Sequence, residues 1–368
     1  MSAEATTVAE TTGAPVRESG LGRTLRLIAT ARNALLLALF ALMFGYFSIF
    51  VPHFFEAYNI YQVVQDGVII SILAIGETIV ILSGGGGIDL SVGSMLSLSG
   101  MTIGVINIMW GVNIWIAVAG ALAVGLVLGA INGLFVSVTR VPPLIVTLAT
   151  FYGYAAIALQ ITNTQPLPDA TQSNLPQSFP SAFITIGNGN VQDLGWLHWL
   201  PKISGQGIGI PFQVLFIYLP VALMTAFVLR RTVAGRYLYG VGTNALAARF
   251  SAIGVWNVRF WAYVAAGGLA AVAAVVQTAL SASATPDVGA PMNLQAITIA
   301  VLGGVSIVGG EGGILGIVLA TLIVIFLYNG LGLQLGDNAG IWQPFALGVL
   351  LIGSVLFNEY VRRRLSVG

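Results

Sequence analysis

Residues 83–94 read SGGGGIDLSVGS, four glycines and an aspartate set between the apolar runs 60–82 and 92–110. The rest of the chain is largely hydrocarbon: of 368 residues, 57% are apolar and 7% charged, with a mean hydropathy of +0.92. A soluble domain has no means of hiding that much apolar surface. The glycine run is therefore a break in membrane-embedded helix. A hydrocarbon core of about 30 Å takes about 20 apolar residues per crossing. Backbone amides in lipid must be paired within the segment, so each crossing is expected to be a helix.

Outward from the break, apolar stretches fall at 33–51, 60–82, 92–110, 114–137, 143–162, 211–229, 260–280, 293–308, 314–335 and 341–359. They predict an all-α integral membrane protein of about ten transmembrane helices. With a cytoplasmic N-terminus every arginine lies inside and Lys202 alone lies outside, in agreement with the positive-inside bias. The expected organisation is a disordered cytoplasmic tail over 1–32, one transmembrane domain over 33–360 and a short cytoplasmic tail over 361–368. The run NALLLALFALMFGYFSIFVPHFF (33–55) exceeds a signal-peptide h-region and lacks a small-x-small cleavage site, so it reads as a retained first helix.

Residues 164–210 form a long outer segment rich in Pro, Asn, Gln and Ser. Within it, Trp196 and Trp199 suit a short interfacial helix, or alternatively a ligand-stacking pair. His198 and His53 each lack a second ligand at helical spacing, and cysteine is absent, so no metal site or thiol chemistry is expected.

A phosphate-binding loop needs G-x-x-x-x-G-K-[ST], and the single lysine, Lys202, follows Leu200-Pro201. Gly84, Gly85, Gly86 and Gly87 therefore form no nucleotide site. A second cluster, Gly309, Gly310, Glu311, Gly312 and Gly313, shares their context, ending one apolar run and beginning another. Both read as re-entrant turns or hinges, since irregular backbone at membrane depth must be covered by protein or line a polar cavity. Asp89 is expected to cap the third crossing through the amides of Ser91 and Val92, with Gly93 following; direct substrate contact is the alternative. For Gly125, Gly129 and Gly133, at i, i+4 and i+8, helix packing is expected.

Polar groups within the runs or at their ends are candidates for a substrate path: Gln65, Asp66, Glu77, Asn132, Gln277, Asn293 and Gln295. Amides with few charges suit an uncharged polyhydroxylated ligand better than an ion. Interhelical hydrogen bonding is the structural alternative for each. No nucleophile–base pair is visible, which argues against an intramembrane enzyme.

Between the sixth and seventh crossings lies the basic segment 230–259. Thr243 or Asn244 can cap a short helix over ALAARFSA that stops at Gly254. Its surface reads as a docking helix for a cytoplasmic partner or a basic anchor to anionic lipid.

Three separated stretches, GIDLSVGS, GRYLYGVGTNALAARFSAIGV and AVLGGVSIVGGEGGILG, resemble signatures of the ribose/xylose/galactose-type permease subunits of bacterial ABC importers, over about 33–360. The resemblance implies a type II ABC-importer-like permease with broken helices in the cytoplasmic membrane. By the same resemblance it works as a dimer, receives a sugar from an extracytoplasmic binding protein and carries no cofactor of its own. ATP-Mg sits on a separate cytoplasmic ATP-binding subunit, and nucleic acid has no part. Gly235, Arg236, Gly242, Asn244, Ala248, Arg249 and Gly254, with Ala247 beside them, match the segment that couples to that subunit. The chain departs from the pattern in its four glycines before Ile88 and in the acid Glu311. Rival cargoes are a furanose signal, a nucleoside or a branched-chain amino acid, and the rival class is an ion-coupled secondary transporter resting on Glu77.

Overall fold

The computed structural model describes residues 20–139, 141–169, 171, 175–200, 202 and 208–366. Its helices are, in order, α1 (Gly20–Phe50), α2 (Ala57–Leu82), α3 (Val92–Gly104), α4 (Ile114–Val138), α5 (Pro143–Ile161), α6 (Ser181–Asn188), α7 (Leu219–Arg231), α8 (Val233–Thr243), α9 (Ala245–Phe250), α10 (Val255–Ser281), α11 (Met292–Leu302), α12 (Ile314–Leu335) and α13 (Ala339–Ser366). Single π turns extend α3 to Met109 and precede α7 from Val214. Among the described residues, extended pairing is limited to the isolated bridges Leu167–Ala284 and Asn190–Pro211.

The helices differ from the expected set in three places. Residues 20–32, expected as tail, belong to α1, and α13 runs through most of 361–368, to Ser366. Leu, Ala and Arg there are good helix formers, and Gly20 and Gly22 fall only at the first residues of α1; residues 1–19 and 367–368 lie outside the described residues. The stretch 293–308 yields only the 11 residues of α11, about 16 Å of helix, too short to cross alone. It stops at the pair Gly303-Gly304, where Gly304 takes φ +86°. By length and composition, eight described helical segments can cross a membrane, with Ile314–Leu356 counted as one run. That run bends at a 3-10 turn over Gly336–Asn338, between α12 and α13.

The bundle is built around α10, which packs chiefly on α4, α2 and α3. Gly125, Gly129 and Gly133 of α4 face it without side chains, so that the two backbones touch. A Cβ on Gly129 would overlap the Tyr263 carbonyl, and one on Gly125 would meet Gly267 and Ala271. Ala266, Ala270, Ala273 and Ala274 of α10 are buried in the same manner.

The segment 164–210 contains α6 and a 3-10 turn at Val191–Asp193. Around Trp196 and Trp199 it forms hydrogen-bonded turns (Leu197 N–H to Leu194 O, 2.8 Å) in place of the expected helix. Gly195 interrupts the stretch there and Pro201 follows it. Docking comes from α6: the Gly187 carbonyl accepts from Gln65 Nε2 (3.1 Å) and Gln213 Nε2 (3.0 Å), and Asn188 Nδ2 donates to Ala279 O (3.0 Å). At the segment's exposed end, the Asn190 backbone N–H, with Lys202 behind it, holds the Asp193 carboxyl below the usual carboxylate range.

The α4–α10 contact predicts an asymmetry between glycines. Gly129→Ala should destabilise the purified protein by about 1–3 kcal/mol through overpacking. Gly153→Ala on α5, with nothing within 4 Å of the new methyl, should be neutral or slightly stabilising. Thermal-unfolding midpoints in detergent distinguish them, and equal midpoints would contradict this packing.

Candidate functional site

Between α2 and α3 the chain leaves helical geometry. Gly84, Gly85 and Gly86 have φ of +73°, +70° and +71°, three consecutive left-handed residues that only glycine adopts without strain. Gly87 has an ordinary φ, but its Cβ would press on the Val80 carbonyl at 2.9 Å. Each glycine of the run thus has a physical reason.

Beyond the glycines the backbone runs back alongside α2, and its polar groups are met by side chains. The Glu77 carboxylate, fully buried, accepts the Asp89 N–H at 3.1 Å. The Thr147 hydroxyl reaches Ile88 O at 3.1 Å, and Asn293 Oδ1 accepts the Gly93 N–H at 2.6 Å. Asp89, also fully buried, accepts from the Ser91 N–H (2.8 Å) and hydroxyl (2.6 Å). Asn132 Nδ2 donates to Ser91 Oγ at 2.7 Å, and the Tyr154 hydroxyl meets Asn132 Oδ1 at 3.1 Å. Asp89 thus engages the Ser91 amide as expected but not that of Val92. Ser91 itself occupies the N-cap position of α3, so Asp89 acts two residues outside the helix, as an Asx turn.

The second glycine cluster forms the turn between α11 and α12, with positive φ at Gly304, Gly309, Gly310 and Gly312. Gly313 is extended and precedes α12, and Glu311 is exposed while its carbonyl accepts the Ser306 N–H at 2.9 Å. The two turns touch: the Gly310 N–H donates to Leu82 O at 3.2 Å, and a Cβ on Gly309 would collide with Gly84.

Gly242, near the end of α8, joins the same point. A Cβ there would collide with Leu82 O and Gly310, one on Gly84 with the Gly242 backbone, and one on Gly310 with Thr243. The Tyr239 hydroxyl donates to Gly312 O at 2.9 Å, and the Arg259 guanidinium lies against Gly85. Two turns more than 200 residues apart in sequence and the segment between α7 and α10 therefore meet backbone to backbone.

That segment holds two helices, since 233–243 is helical as well as 245–250. Asn244 Oδ1 caps α9 by accepting from the Leu246 and Ala247 amides, each at 3.0 Å. The structure divides the residues matched to the coupling pattern. Arg236, Asn244, Ala247, Arg249 and Gly254 are exposed, whereas Gly235, Gly242 and Ala248 are buried and serve the segment's own packing. Leu246 (64% exposed) and Phe250 (85%) form its apolar outer face.

At the other end of α2 and α12 lies a cavity of about 410 Å³ formed by α2, α11, α12 and α13, with Asp66, Gln295, Tyr328, Asn329 and Gln343 as its polar lining. Asp66 is 16 residues from Leu82 and Asn329 is 15 from Ile314, about 22–24 Å along the helices from the glycine turns. Of the substrate-path candidates only Asp66 and Gln295 line it. Gln65 holds α6, Glu77, Asn132 and Asn293 serve the unwound stretch, and half-buried Gln277 on α10 lies elsewhere. The sequence reading passed over Asn329 and Gln343, although both are amides inside apolar runs. Tyr328 carried no signal distinguishing it from a core aromatic.

A family model described as branched-chain amino acid transport system, permease component, matches residues 59–356. Among relatives, the ribose import permease protein RbsC of Escherichia coli is 34% identical over 84% of this chain and 88% of its own length. The probable ABC transporter permease protein y4mJ of Sinorhizobium fredii is 33% identical, covering 85% of each chain. The xylose transport system permease protein XylH of Escherichia coli is 30% identical over 84% of this chain and 87% of its own. No solved structure matches. The fold and these matches define a multi-pass transport subunit. The chain belongs to this family of transport-system permease components.

Glu77→Leu removes the acceptor of a buried amide and is expected to cost about 1–3 kcal/mol, read as a lower thermal-unfolding midpoint. Glu77→Gln retains a carbonyl oxygen and should keep most of that stability. Identical midpoints for the two variants would mean that Glu77 does not support the backbone.

Proposed function

We propose that the chain is the transmembrane permease subunit of an ATP-driven ABC importer in the bacterial cytoplasmic membrane, passing a monosaccharide of the pentose or hexose class. An extracytoplasmic binding protein delivers the sugar. A separate ATP-binding subunit docks on the segment 230–259, and a second permease copy completes the pathway. The sugar assignment is supported by the names of the ribose and xylose relatives, and the arginine distribution supports cytoplasmic termini.

The single observation that carries the mechanism is the contact of α8 with both glycine turns. The outer face of α9, with Leu246, Arg249 and Phe250, is the handle. Gly242 at the end of α8 presses on Leu82 and Gly310, leaving no side-chain slack between handle and turns. Closure of the ATP-bound partner displaces α8 and α9, the turns at 84–87 and 309–313 hinge, and access passes from one side of the membrane to the other. The cavity supports a neutral cargo over the branched-chain amino acid in the family's description. A zwitterion needs a cation for its carboxylate, and among the described residues none lines the cavity. Glu77 gives one carboxylate oxygen to the Asp89 amide, a structural role that leaves the ion-coupled reading second.

Proteoliposomes holding this chain with its ATPase and binding protein should take up pentose only with ATP, and those holding the chain alone should not. Uptake by the chain alone would exclude the reading. Leu246→Glu with Phe250→Glu should release the ATPase on co-purification. Gly85→Val with Gly86→Val should abolish uptake while the assembled complex persists, and normal transport by that double variant would remove the hinge.

A further inference from the structure

Resting on that reading, the cavity at the end of α2 and α12 remote from the glycine turns identifies its own ligand class. Its volume of about 410 Å³ lies within the usual range for small-molecule sites, about 300–1,000 Å³. Asp66 is exposed to it, and no described residue donates a hydrogen bond or a positive charge to the carboxylate. A carboxylate inside a membrane-spanning helix is costly and ordinarily faces a polar path.

The other polar groups are partly committed among themselves. Asn329 and Asn59 form a reciprocal amide pair (2.9 and 2.8 Å), Gln343 Nε2 donates to Tyr328 O at 2.9 Å, and Gln295 lines the cavity together with Tyr328. These bonds fix Asn329 and Gln343 in place, while Asp66 alone offers only acceptor positions. A ligand must therefore bring donors to Asp66, while the amide wall opposite can meet either donors or acceptors. Hydroxyls satisfy both, and among the described residues no Lys, Arg or His lines the cavity to balance an anion.

We propose that this cavity is a binding site for neutral polyhydroxylated cargo, in which Asp66 accepts hydrogen bonds from ligand hydroxyls, Gln295 meets the opposite side, and the unbalanced carboxylate rejects sugar phosphates and sugar acids. One short helix ties the site to the hinge: α11 begins beside Gln295 and ends at Gly303, where the second glycine turn starts.

Because the chain has no cysteine, a single Leu333→Cys variant places one thiol on the cavity wall for labelling by a membrane-impermeant maleimide. D-Ribose or D-xylose should slow labelling several-fold, and D-ribose 5-phosphate should not. Adding Asp66→Ala should remove the protection, and in the complete transporter the same substitution should lower pentose uptake roughly ten- to hundred-fold, the size of one lost charged hydrogen bond, while ATP hydrolysis and co-purification persist. Asp66→Asn, which keeps the shape, should relax the discrimination against the phosphate. Absent protection, together with unchanged uptake by Asp66→Ala, would overturn the site while leaving ATP-driven uptake, and hence the permease reading, intact. Protection without ATP-driven uptake would keep the site and remove that reading. Protection by sodium or choline in place of pentose would make it a cation site and overturn the proposal.

Discussion

Chain that leaves helical geometry inside a hydrocarbon layer has to find a partner for each exposed amide and carbonyl, because an unpaired one costs several kcal/mol there. Residues 83–93, the unwound stretch and the first turn of α3, impose that requirement on this protein, and much of its polar interior answers it. Glu77 takes the Asp89 amide, Thr147 the Ile88 carbonyl, Asn293 the Gly93 amide, and Asp89 folds back onto Ser91 under Asn132 and Tyr154. These side chains come from α2, α4, α5 and α11, so the unwound stretch also ties four helices together.

The same stretch explains why so many glycines crowd one end of the bundle. Left-handed backbone at Gly84 to Gly86 reverses the chain in few residues. The absence of side chains at Gly84, Gly242, Gly309 and Gly310 lets three segments meet through their backbones. Such a contact is stiff in compression and has no rotamer to absorb a displacement. A push on α8 would therefore reach both turns together, at one end of helices whose other end lines the cavity about 22–24 Å away.

Two ends of the molecule thus carry different chemistry. One is a backbone junction, almost without side chains. The other is a cavity with the Asp66 carboxylate on one side and the amides of Gln295, Asn329 and Gln343 among its lining. The helices α2, α11 and α12 run from one to the other, and α11, broken at Gly303, is the shortest of them.

Much of the architecture was legible in the sequence. The hydropathy of the runs and the two glycine clusters gave the membrane class and the helix breaks, and a cap at Thr243 or Asn244 was readable from their place before ALAARFSA, with the structure choosing Asn244. These are local properties, set by which residues neighbour each other along the chain. Helix ends and crossings were less legible, since α11 stops where Gly303-Gly304 interrupts an otherwise apolar run, and α1 and α13 continue into polar sequence. The sorting of polar residues was not legible at all. Glu77 and Asp66 lie 11 residues apart on one helix, yet one holds a backbone amide and the other faces a cavity. That difference depends on what α3, α11 and α12 bring alongside them. The meeting of Gly84, Gly242 and Gly310 belongs to the tertiary structure for the same reason: a backbone contact between distant segments leaves no mark on the sequence except a glycine, and a glycine alone does not name its partner.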